Sequence, residues 1–230
     1  MRPYTPFALT AALFAPASAF AEAEPAQESV QEPAEQEQEQ ASEFEIIMES
    51  PQPEGWPEPG PAFEITLKHY PAYRAAVKEG RNGFWPLFRH ISDRNIPMTA
   101  PVEMDMEASD GRYQMTNMAF LYQSLEVGET GEVENGVEVI DYPALTVLSF
   151  GSNGNYNQRK IDDILEQIDA HLETISDEWQ ATGEMRVMGY NSPMIRAERR
   201  YFEVQVVIEP VETSEDETQH TASEEDTAAD

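Results

Sequence analysis

The order of short motifs along this chain repeats once, and that repeat limits the fold more than any other feature. "HYPAYRAAV" (residues 69–77) precedes one helical stretch and "DYPALTVLSF" (141–150) precedes another. After each stretch comes a strand ending in a proline-containing corner, "MTAPV" (98–102) and then "YNSPM" (190–194), and after that another apolar strand. Each half therefore reads as strand–helix–strand–strand. Alone, such a unit would leave half its apolar surface wet. Two units are expected to join edge to edge into one antiparallel sheet flanked by two helices, an α+β domain.

Residue spacing supports the elements. In "AFEITLKHY" Phe63, Ile65 and Leu67 alternate with Glu64, Thr66 and Lys68, the period of a strand with one wet face. In "RNGFWPLFRHISDRN" Phe84, Leu87, Phe88 and Ile91 follow helical spacing and read as a core face, with Asn82 as the cap and Pro86 in the first turn. The second helix places Ile161, Ile164, Leu165, Ile168, Leu172 and Ile175 on one side. "YFEVQVVIE" alternates again at Phe202, Val204, Val206 and Ile208.

The flanks differ in kind. Residues 1–21 carry Arg2, an apolar run from Phe7 to about Ala15, and small residues at Ala19 and Ala21, the pattern of a secretory signal peptide cut after Ala21. That run is too short for a membrane span, which takes about 20 residues. Residues 22–60 hold twelve glutamates and 211–230 hold eight acidic residues, with no lysine or arginine in either. Both read as disordered, self-repelling segments. One domain is left at 61–210, exported to a bacterial periplasm or the extracellular space and with no stable membrane insertion after cleavage. Its net acidity argues against nucleic acid as a partner.

Catalytic signatures are sparse. The chain has no cysteine, which removes thiol nucleophiles, thiolate metal sites and disulfides. Ser152 in "FGSNG" lacks the nucleophile-elbow frame, and there is no zinc-protease, phosphate-loop or dinucleotide motif. His90 and Asp93, three apart, make a thin metal pair, and nothing commits the chain to catalysis. Binding fares better: Trp85 and Arg89 are four apart on the first helix, so an indole and a guanidinium share a stripe. An amphipathic acid would use both, with Arg81 as a second cation. The alternative is a solvated Arg89 lying along Trp85 as a cation–π pair.

At "FEITLKHYPAY", "MTAPV" and "GYNSP…RRYFEVQV" the sequence resembles the SOUL haem-binding family over essentially all of 61–210. The resemblance implies a pseudo-twofold α+β fold, a distorted open barrel shared with bacterial effector-binding domains, and binding of haem or another tetrapyrrole. In members with a His-Tyr pair ending the first strand, the histidine is proposed as axial iron ligand; the matching pair is His69-Tyr70. Other members hold the macrocycle on an apolar surface near the first helix, with basic residues at the propionates. On this chain those positions fall to Trp85, Phe88, Arg89 and Arg81. Two further expectations stay open: an effector-type or protein-interaction domain with a non-haem ligand, and an enzyme that removes tetrapyrrole metal.

Overall fold

A computed structural model describes residues 44–211. The expected leader at 1–21, residues 22–43 of the acidic linker and residues 212–230 of the tail lie outside the described residues. Nine strands form a single antiparallel sheet: β1 (Ile65–Tyr70), β2 (Tyr73–Glu79), β3 (Val102–Ser109), β4 (Arg112–Leu121), β5 (Gly131–Val133), β6 (Val137–Tyr142), β7 (Leu145–Asn153), β8 (Trp179–Gly189) and β9 (Tyr201–Pro210). Helix α1 (Phe84–Asp93) follows β2, and α2 (Gln158–Thr174) follows β7.

The sheet order is β1-β7-β9-β8-β3-β4-β2-β6-β5. It reads outward in both directions from the β3–β8 pair, where Met104 faces Val187. One side continues β4-β2 and the other β9-β7, so β2–α1–β3–β4 and β7–α2–β8–β9 are the two expected repeats. The lead strands are exchanged: β1 precedes the first repeat but pairs with β7, and β6 precedes the second but pairs with β2.

This exchange forces the sheet to curl. In a flat sheet the six spacings from β1 to β2 would part them by roughly 29 Å, at about 4.8 Å each. Yet only Pro71 and Ala72 separate their ends, a link that reaches no more than about 11 Å. Pro143 and Ala144 impose the same closure between β6 and β7. The strands wrap around an interior without hydrogen-bonding into a closed ring.

Three apolar clusters result. On the helix-bearing face, α2 buries Ile161, Ile164 and Ile168 against Leu148, Val187 and Val204. Leu87 and Ile91 of α1 pack on Ala76, Phe120 and Val139. The third cluster fills the interior, with Tyr70, Tyr73, Ala75, Leu121, Val147, Met188 and Tyr201.

Four expectations are corrected by the packing. Residues 44–60 do not all belong to a disordered linker: Trp56 is buried with its ring edge-on to Tyr70 and Tyr73 at 4.6 and 5.0 Å, and Phe44 and Ile46 cover the same cluster. In β1 the polar side turns inward, with Lys68 buried while Leu67 is exposed, because that side faces a polar interior. The first helix is capped at Gly83, not Asn82, with no side-chain cap bond. A Cβ on Gly83 would sit 2.9 Å from that of Met118, so glycine lets α1 approach β4. Finally, the buried stripe of α1 is Leu87, His90 and Ile91, while Phe88 is 43% exposed at its border.

Candidate functional site

Two concave regions stand out, on opposite sides of the sheet's polar lining. The first is an apolar cleft of about 480 Å³. Phe84 and Phe88 of α1 form one wall, and Met98, Ala100, Val102 and Met104 of the "MTAPV" corner and β3 form the floor. Tyr156, just before α2, and Tyr190–Pro193 of the second proline corner complete it. The two corners meet across one groove but are not equivalent parts of the repeats: "MTAPV" leads into β3 instead of ending a strand, "YNSPM" follows β8, and antiparallel pairing of Val102 with Gly189 is what brings them together. The strap at 47–51 forms its rim: Asn191 donates to the Ile47 carbonyl at 2.6 Å, and Glu49 accepts from the Ser192 N–H at 2.6 Å and hydroxyl at 3.0 Å.

Beside the cleft lies an exposed aromatic surface. Phe84 and Phe88 stack with centroids 6.0 Å apart, and Trp85 stands edge-on to both at 5.4 and 6.1 Å. Trp85 is 72% exposed, far more than a packing role would leave. The helix therefore has two apolar faces, one buried in the sheet and one turned to the cleft mouth and solvent.

The sequence-predicted residues separate into two places. Trp85 and Phe88 are together on α1. Arg81, just before the helix, and Arg89, next to Phe88, are exposed, line no part of the cleft and form no ion pair among the described residues. His69 lies on the other half of the sheet: it is exposed on β1, 3.0 Å through Nδ1 from the Thr146 hydroxyl and 6.4 Å from the Trp179 ring. His90 is buried, its Nε2 2.6 Å from the Tyr122 hydroxyl. Burial, with a smaller push from Arg94, lowers its pKa. No group of three or more metal-ligating side chains occurs among the described residues.

The second region is the polar interior, which residue spacing had not revealed. Glu203 is fully buried, and its carboxylate accepts from Lys68 at 2.6 Å, the Gly60 N–H at 2.7 Å, Gln205 at 2.8 Å, and the Tyr201 and Ser149 hydroxyls at 3.0 Å each. Burial alone would raise this carboxyl. Lys68, Gly60 and Tyr201 hold it below its ordinary value. The network runs on through Gln205 to Arg186, whose Nε donates to the Gln205 side-chain Oε1 at 2.9 Å and whose Nη1 donates to the Tyr73 hydroxyl at 3.0 Å. Tyr73 in turn donates to Glu103 at 3.0 Å, which Arg186 also faces at 3.4 Å.

The fold and site together define a pseudo-twofold α+β domain, an open curled sheet with an apolar cleft walled by α1. The SOUL heme-binding protein family model matches residues 76–207, more than half of the chain, and the protein belongs to that family. No curated protein matches significantly. Among solved structures, the EcmrR C-terminal domain is similar at 14% identity and a TM-score of 0.48, covering 64% of this chain and 98% of that one. A hydrolase from Listeria innocua is similar at 9% identity and a TM-score of 0.49, covering 66% of this chain and 94% of that one. Among the described residues no helix is long and apolar enough to cross a membrane.

Proposed function

We propose that this chain binds haem or a related tetrapyrrole in the α1 cleft, as a carrier or buffer outside the cytoplasm. The observation that carries this reading is an apolar cleft of about 480 Å³ continuous with the exposed rings of Trp85 and Phe88. A flat macrocycle needs such a surface for its faces. Its propionates need cations, and Arg81 and Arg89 at the same end of the domain are the candidates, through charge-assisted bonds. Bound haem would contribute its own iron chemistry; the protein's part is to cover the ring and hold the acid groups. Among the residue types that bind haem iron, the cleft offers Met98, Met104, Tyr156 and Tyr190, and no histidine. Export rests on the leader pattern at 1–21.

Titrating hemin into the purified protein should give a shifted, saturable Soret band, and a spectrum that only sums free hemin and protein overturns the reading. His69→Ala is expected to leave that spectrum and the affinity unchanged, because His69 lies beside Thr146 and Trp179 on the other repeat. A changed ligation spectrum would instead move the iron to β1. Export is checked at the N-terminus of protein taken from its source: a chain beginning at Glu22 supports it, and one that retains Met1 rejects it.

A further inference from the structure

A second cavity, of about 340 Å³, opens on the inner face of the sheet, away from the α1 cleft. It is lined by Tyr73, Glu103, Asp105, Tyr142, Glu184 and Arg186, among others. Its size falls in the range of small-molecule sites, about 300–1,000 Å³. The ladder breaks on both sides of its mouth. The β3–β4 register shifts between Asp105 and Met106, and the β8–β9 register shifts between Ala181 and Met185. One such shift lies in each repeat, and bulges of this kind re-aim side chains next to sites.

The decisive group is Arg186. Its guanidinium is buried over the Tyr70 ring at 4.7 Å, and Nε and Nη1 are satisfied by Gln205 and Tyr73. Nη2 is buried without a partner among the described residues. A buried donor left unmade costs free energy comparable to a lost hydrogen bond, so this atom marks where a ligand acceptor belongs.

Charge decides what kind of acceptor. Arg186 already has Glu103 as its counter-ion at 3.4 Å, and the remaining charged side chains around the cavity, Asp105, Glu107 and Glu184, are all acidic. A ligand carboxylate or phosphate would be repelled. The acceptor has to be neutral, a hydroxyl, ether or carbonyl oxygen. Asp105 needs the opposite: among the described residues its carboxylate accepts from Asn117 alone, at 3.2 Å, and burial pushes its pKa up. A cationic donor would relieve that burial. Tyr142, stacked on Tyr73 at 5.0 Å, adds a ring face in the same wall.

We propose that this inner cavity binds a small compound that joins an ammonium group to a neutral oxygen acceptor, of the amino-alcohol or amino-sugar kind. The ammonium meets Asp105, with Glu184 and Glu107 at the mouth, and the oxygen accepts from Arg186 Nη2. Glucosamine, glucose and gluconate present the same carbon skeleton as amine, neutral polyol and acid, and serve as probes by calorimetry and thermal shift. Glucosamine should bind saturably and raise the melting temperature, glucose should bind about tenfold or more weakly, and gluconate should not bind. Asp105→Asn should abolish the glucosamine shift while leaving the unliganded protein at least as stable as the parent. Amide NMR shifts on adding glucosamine should cluster at Asp105, Asn117 and Glu184. Absence of saturable binding, gluconate binding as tightly as glucosamine, an unaffected Asp105→Asn variant, or shifts confined to Phe84 and Phe88 would each overturn the proposal. Hemin binding at α1 is read separately and does not depend on any of these results.

Discussion

Replacing Glu203 with alanine is expected to destabilise the protein by about 3–5 kcal/mol, a loss large enough to unfold much of the population. The size follows from what is left behind. Lys68 is buried with Glu203 as its carboxylate partner at 2.6 Å, so the variant would strand an ammonium in the interior. The Gly60 N–H and the Ser149 hydroxyl would also lose their acceptor. Urea denaturation of Glu203→Ala and of the double variant Lys68→Met with Glu203→Ala separates the causes, since the double variant strands no charge and should recover part of the loss. The same carboxylate sets a pH dependence. Its folded pKa lies below its unfolded one of about 4.3, so its stabilising contribution is present above that value and is lost as pH falls through the folded pKa. Glu203→Gln should flatten this acid limb; equal acid sensitivity in variant and parent would show that the pairing contributes nothing.

The second large effect is on ligand affinity alone. Trp85→Ala should weaken hemin binding by roughly 70-fold: covering about 100 Å² of the ring at about 25 cal/mol per Å² gives roughly 2.5 kcal/mol. Stability should stay within about 0.5 kcal/mol of the parent, since the ring is 72% exposed. Leu87→Ala, two residues on and fully buried, should do the reverse by costing about 2–5 kcal/mol in stability. Hemin affinities and urea midpoints measured on both variants test the division. If Trp85→Ala bound hemin like the parent, the aromatic face of α1 would not be the site.

The repeat was legible because motif order survives where individual spacing blurs. The two helices, the second proline corner and the apolar faces of β9 and α2 fall where the motif order and periodicity put them, whereas the "MTAPV" corner opens β3 instead of ending a strand. The inner face was not legible, and the reason is physical. Glu203 and Gln205 alternate with Phe202, Val204 and Val206, which reads as a wet side opposite a dry one. Curling closes both sides, and the polar side is kept by pairing it with Lys68, Arg186 and the tyrosines. Local spacing cannot report a partner such as Lys68, 135 residues from Glu203. Phe88 read two ways: helical period put it on the core face and the resemblance put it on the macrocycle surface, and the fold leaves it 43% exposed at the border of the groove. Trp56 sat inside an acidic, proline-rich segment whose composition hid one anchoring ring.

The traded lead strands have an evolutionary corollary. Neither repeat is a complete object, because each takes its flanking strand from the other across a two-residue hinge. A lone ancestral repeat could have satisfied that edge only by borrowing from a sister molecule, as a swapped pair. Fusion into one polypeptide would have made the loan permanent and freed the two copies to diverge, one keeping aromatic rings on its helix and the other a guanidinium in its wall.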